Sequence, residues 1–287
     1  GKQWTLDLSY NHSKGGSDYL YTTNSYLPNG SLLPFNPELQ KSDGGQHTDM
    51  VNAQWDLSLP LRKKMKLELG LRSNYQLQYS VLNVNNFDYT ANDYALDSVL
   101  SNNYRIDNLI NAAYLTFGQD EIKGFSYQIG LRFEQTYYRG QLLDKNQTFS
   151  YQYPSSLAKI YESLFPSINL SEKIGDKHEF QLNVTRKIKR PGFFQIAPFI
   201  FYSDKFNYRI GNPQLKPEFI NKAELNYNLN IKKFNWLTSF YGTYTEQPIT
   251  SYSFSSPVDS LVLINTSINA DNSFDYGWEN TFKIDPV

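Results

Sequence analysis

The 287 residues contain no cysteine, so a disulfide framework and a thiolate metal site are both excluded. No run of about 18 consecutive apolar residues occurs, which excludes a transmembrane helix. Basic and acidic residues nearly cancel, 27 against 28, and give no electrostatic case for nucleic acid as a partner. Alanine and methionine are scarce, which removes two of the best helix formers. The nucleophile elbow, the zincin pair, the P-loop and the dinucleotide fingerprint are all missing. His12, His47 and His178 are scattered and have no neighbour at metal-ligand spacing. They read as solvated loop and turn residues, although His12 and His47 flank one long connection and could meet across it. No metal, cofactor or catalytic set is expected.

What the chain does have is aromatic side chains, with 23 Tyr and 19 Phe among 19% charged residues. Tyr, Phe and Thr suit a half-buried pleated surface and argue for β structure. The strongest signal is alternation held over unusual lengths. From Met65 to Tyr79, Met65, Leu67, Leu69, Leu71, Tyr75 and Leu77 take one parity, with Ser73 the interruption. Lys66, Glu68, Gly70, Arg72, Asn74 and Gln76 take the other. A helix scatters such a set around its circumference, whereas a strand sorts it onto two faces. The same pattern covers Val51–Leu59, Phe125–Glu134 and Phe219–Leu229, and shorter forms occur at Trp4–Tyr10, Leu164–Leu170, Phe180–Val184 and Phe274–Phe282. Around Asn103–Phe117 and Asn235–Thr245 both parities carry apolar residues, so neither face is assigned. About ten strands result, with one more if a hairpin turns at Asp271-Asn272.

The connections alternate in length. Pro60–Lys64, Gly118–Gly124, Glu172–Lys177 and Lys232–Asn235 are short. Ser13–His47, Ser80–Asn102, Gly140–Glu162, Ile188–Pro217 and the stretch after Glu246 are long. Short turns on one side and long loops on the other characterise outer-membrane barrels, whose long loops face outward. The expected fold is therefore all-β, an antiparallel up-and-down transmembrane β-barrel, with outer-membrane lipid as its surroundings. A mean hydropathy of −0.56 is compatible with this, because averaging over alternating strands hides the lipid-facing half. Trp4, Trp55, Tyr75, Tyr79, Tyr137, Tyr227 and Trp236 are the expected interface girdles. A soluble aromatic-rich β-sandwich is the main structural alternative, but its outward faces should carry more Lys and Glu and its strands should be shorter. No leader pattern precedes the first strand pattern and the chain stops just after the last, so it is expected to be part of a longer protein.

One stretch is more specific. Lys189–Tyr227 contains Arg190-Pro191, then an aromatic-rich loop, then Gly211-Asn212-Pro213-Gln214-Leu215-Lys216-Pro217-Glu218. With Gly130–Glu134, Phe165-Pro166-Ser167 and Tyr276–Glu279 in the same order, it resembles the barrel of TonB-dependent outer-membrane receptors, particularly the Bacteroidetes type. The resemblance implies energised import through a barrel of about 22 strands. An N-terminal plug domain closes the lumen and the TonB complex pulls on it. Against that pattern this chain shows about half the strands, with no plug, no TonB-interacting segment and no terminal aromatic. The prolines and Gly211-Asn212-Pro213 themselves read as a turn that feeds a strand starting near Glu218, a structural device rather than a ligand contact. Phe193, Phe199, Tyr202, Lys205, Tyr208 and Arg209 are the loop residues available to touch a nutrient ligand, whose identity the sequence leaves open. A passive porin-like channel is the alternative function.

Overall fold

The computed structural model describes residues 1–284 except 63, 199 and 205, and omits the side chains of 201–204. In chain order the strands are β1 (Gln3–Thr23), β2 (Glu38–Arg62), β3 (Met65–Asp88), β4 (Asp93–Leu96), β5 (Asn102–Ile122) and β6 (Phe125–Leu142). There follow β7 (Gln147–Tyr153), β8 (Leu164–Ile174), β9 (His178–Lys189), β10 (Ile200–Asp204) and β11 (Asn207–Ile210). The last are β12 (Glu218–Ile231), β13 (Phe234–Glu246), β14 (Ile249–Ser255), β15 (Leu263–Asn269) and β16 (Ser273–Ile284). A 3-10 turn at Leu157–Ser163 and a single helical turn, α1 (Phe193–Ile196), complete the elements.

Ten strands make one continuous antiparallel wall in the order β1-β2-β3-β5-β6-β8-β9-β12-β13-β16. The ten sequence segments map onto these ten strands one for one. β4 and β7 extend the wall beside the far ends of β3 and β6. A second sheet, β10-β11-β15-β14, is built from two of the long connections and contains one parallel pair, β11 with β15. Asp271-Asn272 is therefore not a hairpin within the wall, but the link from this second sheet into β16.

Registers show why the wall is amphipathic. Leu6, Trp55, Leu71, Ala113 and Phe133 are consecutive cross-strand partners, as are Leu57, Leu69, Leu115, Leu131 and Pro166. Further along the wall Ile168, Val184, Ala223, Gly242 and Tyr276 partner one another on the same face. One face of all ten strands thus carries an apolar belt, exposed to the surroundings of the chain at Leu71, Leu115, Leu131, Phe240 and Trp278. Phe180, Tyr227, Trp236 and Phe282 follow one another along the short-turn edge at centroid spacings of 4.8, 5.9 and 6.0 Å. Tyr75, Tyr137 and Tyr244 take the same face toward the long-loop edge.

The same registers assign the two ambiguous segments. Leu109, Ala113, Leu115 and Phe117 of β5 and Trp236, Phe240 and Tyr244 of β13 join the belt. The opposite parity of β5 also looked apolar because Tyr104 and Ile106 are buried beneath α1 on the inner face. Two inner-face glycines serve as seats for tyrosine rings. A Cβ on Gly70 would stand 2.1 Å from Tyr114 Cζ, and one on Gly277 would stand 2.5 Å from Tyr241 Cζ. Each glycine gives up its own packing so that the cross-strand ring can lie flat.

The strands are longer than the alternation indicated. β2 has 25 residues and β3 has 24, whereas about 9–11 suffice to cross the hydrocarbon layer. The expected loops Ser13–His47 and Ser80–Asn102 are accordingly mostly ladder, since β1 runs to Thr23, β2 begins at Glu38 and β3 ends at Asp88. Past the belt neither face meets lipid, so the period-two signal stops while the hydrogen bonds go on. The short turns stand where expected. At the tightest, Lys123 and Gly124 have φ of +52° and +91°, as a two-residue hairpin of matching twist requires.

Candidate functional site: the inward-packed outer loops

The connections β9–β12 and β13–β16 turn back over the inner face of β5–β7 instead of standing clear of it. Phe193 and Ala197 pack with Tyr104, Ile106 and Leu142, while Ile196 and Leu215 pack with Tyr138, with Phe149, Tyr151 and Ile249 against them. Gly140 admits this contact: a Cβ there would lie 2.5 Å from Phe193 Cε2. Burial in this cluster pushes the Tyr151 phenol, which lies on β7 beyond the belt, well above its ordinary pKa.

The motif residues form the frame of that packing. Arg190 donates from Nη2 to Glu134 Oε2 on the inner face of β6, and Pro191 beside it is fully buried. The Gly211 N–H donates to Ala197 O at 3.0 Å, and a Cβ on Gly211 would fall 2.3 Å from that oxygen. The Asn212 N–H donates to Gln195 O at 2.6 Å; its side chain accepts from the Gln214 N–H at 3.0 Å and donates to Ser267 O at 3.1 Å. Leu215 is 2% exposed, Pro217 is buried, and Pro213 and the Lys216 side chain are exposed. The Lys216 backbone exchanges hydrogen bonds with the Asn269 side chain at 2.9 and 3.0 Å. Buried Glu218 accepts from Lys189 Nζ at 2.9 Å and from the Ile249 N–H at 2.9 Å, so one carboxylate ties together both connections. Glu218→Ala leaves the part-buried Ile249 N–H without its acceptor, at a cost of about 1 kcal/mol. Faster limited proteolysis between residues 247 and 262, with the barrel core unchanged, is the expected readout.

Two cavities lie where these loops meet the long-loop ends of β1–β3. The outer one, about 690 Å³, presents Tyr21, Phe87, Tyr89, Phe206 and Tyr208 together with Gln40, Asn86 and Asp97. Its polar groups are fixed in a chain: Gln40 Nε2 donates to Asn86 Oδ1 at 2.9 Å, and Asn86 Nδ2 donates to Asp97 Oδ2 at 2.9 Å. The inner cavity, about 530 Å³, is floored by Gly15, Gly16, Gly44 and Gly45 and walled by Tyr104, Phe194 and Arg209. Adjacent residues of β11 serve opposite sides, Tyr208 the outer cavity and Arg209 the inner.

Of the loop residues singled out in the sequence, Tyr208 and Arg209 line cavities, whereas Phe193 is 8% exposed and belongs to the packed core. Phe199, Lys205 and the Tyr202 side chain lie outside the described residues. The aromatic walls contributed by Tyr21, Phe87, Tyr89 and Phe194 carry no sequence mark that separates them from girdle or core rings. Gly140 and the Gly44-Gly45 pair did leave one, since a glycine inside a strand marks a close approach. His12 and His47 do come together, at a centroid distance of 6.5 Å, but they do so on paired strands rather than across a loop. No group of three or more His, Cys, Asp or Glu residues arranged to hold a metal occurs among the described residues.

A ten-stranded antiparallel wall with a lipid-compatible belt, short turns at one edge and folded loops at the other defines a transmembrane β-barrel wall. The sequence matches the outer membrane protein beta-barrel family across residues 1–287, and the chain belongs to that family. Its place is the Gram-negative outer membrane, and the sandwich alternative is set aside. No curated protein matches the sequence. Among solved structures it is similar to the copper transporter OprC, at 12% identity and TM-score 0.63, over 99% of this chain and 41% of that one. It is also similar to FpvA of P. aeruginosa bound to heterologous pyoverdines, at 12% identity and TM-score 0.56, over 99% of this chain and 36% of FpvA. BauA, the ferric preacinetobactin receptor from Acinetobacter baumannii, gives 13% identity and TM-score 0.55, over 99% of this chain and 40% of BauA. The chain therefore spans about two-fifths of the length of these structures.

Proposed function

We propose that this chain is barrel wall from a TonB-dependent outer-membrane receptor, and that the receptor captures a nutrient at its outer cavities for energised import. The whole of residues 1–287 then belongs to a single barrel domain, completed in the full protein by further strands and by an N-terminal plug on which the TonB complex acts. The observation that carries this reading is the inward packing of the two long connections. They fold over the inner face and shape open clefts of about 530 and 690 Å³, a size suited to a small ligand. A passive channel has no need of such cavities and works best with an open mouth.

In the same reading the Arg190–Glu218 motif residues are structural. Arg190, Gly211, Asn212 and Glu218 hold the loops, and Tyr208 and Arg209 meet the ligand. The similar structures include proteins described as a copper transporter and a ferric preacinetobactin receptor, which supports capture followed by import and leaves the substrate class open. The test is uptake in cells expressing the full receptor, with and without a functional TonB system. Uptake that collapses on loss of TonB, and that falls at least tenfold in Tyr208→Ala/Arg209→Ala, is the expected result. Uptake that persists without TonB and scales linearly with solute concentration establishes the passive channel instead.

A further inference from the structure

Charge is distributed unevenly between the two edges of the wall. The short-turn segments 62–64, 120–124, 172–177 and 231–233 hold eight Lys or Arg residues against four Asp or Glu. The turn edge is therefore net +4, although the whole chain is −1 and everything outside these segments sums to −5. Three of the lysines stand where a side chain is costly. Lys64, Lys123 and Lys232 have φ of +65°, +52° and +51°, the left-handed region in which a Cβ is crowded and Gly or Asn is favoured. At the long-loop edge the same conformation falls to Asn92 and Asn146. Lysine thus recurs at the short turns against local preference, and a residue held in a disfavoured conformation points to a role other than turn formation.

The turns also make one connected rim. The Asp120 N–H donates to Lys64 O at 2.7 Å, the Lys173 N–H to Gly124 O at 2.8 Å and the Asn230 N–H to Lys177 O at 2.8 Å, so each turn is bonded to the next. Lys64 Nζ donates to Glu121 O, and Lys173 Nζ donates to Glu121 Oε2 at 2.8 Å. Lys123, Lys177, Lys232 and Lys233 are exposed, and their side chains make no hydrogen bond or ion pair among the described residues. An open cleft of about 560 Å³ between the second, third and fourth turns takes in Lys123, Lys173 and Lys177. Glu121 and Glu179 in that cleft are already engaged, by Lys173 and by Ser171 and Gln181. Asp176 is left as its one carboxylate without a partner among the described residues.

Neighbouring turns stand two strands apart in the wall, roughly 10 Å, so the four span an arc of roughly 30 Å. One exposed lysine gains little from one carboxylate in water, and a small anion or a single headgroup reaches one turn only. A polymer with carboxylates at intervals engages several turns at once and gains by effective concentration. The short-turn edge of such a barrel faces the periplasm, where the peptide-bearing glycan of the cell wall carries carboxylates in this way. We infer that the rim binds peptidoglycan through its stem-peptide carboxylates, with Lys123, Lys177, Lys232 and Lys233 as the contacts. This holds whatever the outer cavities capture, because the two edges share no residue.

The test is co-sedimentation of the full receptor, reconstituted in zwitterionic lipid nanodiscs, with purified protein-free peptidoglycan sacculi. The parent should be retained at low salt and released as salt is raised. Lys123→Asn/Lys177→Gln/Lys232→Asn/Lys233→Gln removes four charges and gives two left-handed positions a residue that suits them, so heat-modifiable migration should be unchanged. Its retention should fall at least tenfold, as should that of the parent on sacculi whose carboxylates have been amidated. Lys14→Gln/Arg139→Gln, beyond the belt toward the long-loop edge, should be retained like the parent. Undiminished retention of the quadruple variant, or equal retention on amidated sacculi, overturns the proposal. Retention only on sacculi that still carry their bound proteins also overturns it, by assigning the rim to an acidic protein.

Discussion

Leu131→Arg is expected to cost about 2–4 kcal/mol and to remove most folded barrel from the outer membrane, because position 131 lies mid-belt on the lipid-facing side. Its register partners are Leu115 and Pro166, and with Leu69 on the next strand they form a patch with no polar atom able to receive a guanidinium. Snorkelling is longest from this depth. Gln128→Arg, three residues away on the same strand, changes the inner face, where Asn169 and Gln181 already stand near it. It should be within about 0.5 kcal/mol of the parent. Urea unfolding in lipid vesicles compares the two directly. The account predicts a large difference for one arginine moved from one parity to the other, and similar costs at both positions would contradict the assignment of faces.

Gly211→Val is expected to unseat the outer loops while leaving the wall intact. The Cβ alone falls 2.3 Å from Ala197 O and 2.6 Å from Ala197 N, and both atoms are backbone, so no side-chain rotation relieves the clash. Relief requires breaking the hydrogen bonds from Gly211 to Ala197 and from Asn212 to Gln195, which lock α1 to the strand-entry turn. The buried side chains Phe193, Ile196 and Leu215 then lose their seats against Tyr104 and Tyr138. Truncating core residues of this kind costs several kcal/mol each, and this substitution disturbs them together. Ligand binding should fall by two orders of magnitude or more and proteolysis within 190–217 should accelerate. Heat-modifiable migration should be retained, since the ten-stranded ladder does not pass through this segment.

The wall was legible because lipid imposes a strict alternation on residues such as Leu67, Leu69 and Leu71, and because turn and loop lengths sort by side. Legibility ended where lipid ended. Ser80 to Asp88 continue β3 by nine residues with no alternating signal, since neither face there meets lipid. Inward apolar residues such as Ile106 blurred β5, because the partner that covers them, Phe193, is about 90 residues away along the chain. The motif around Gly211 and Glu218 was visible as turn chemistry. Its reach to Ala197, Ile249 and Asn269 was not, since those contacts are fixed by how two separate loops fold against each other. The cavity aromatics are the hardest case, because Tyr89 in a cavity and Tyr75 in a girdle look alike in sequence.

Because the chain has no cysteine of its own, single-cysteine topology mapping gives the most direct test of the central claim. Val258→Cys lies in the long connection between β14 and β15, where the native side chain is 94% exposed. Asp176→Cys lies in the short turn between β8 and β9. In intact cells carrying the full protein, a membrane-impermeant maleimide should label position 258 and spare position 176 until the outer membrane is permeabilised. Labelling of position 176 in intact cells, or protection of position 258, contradicts the orientation on which the outer cavities depend.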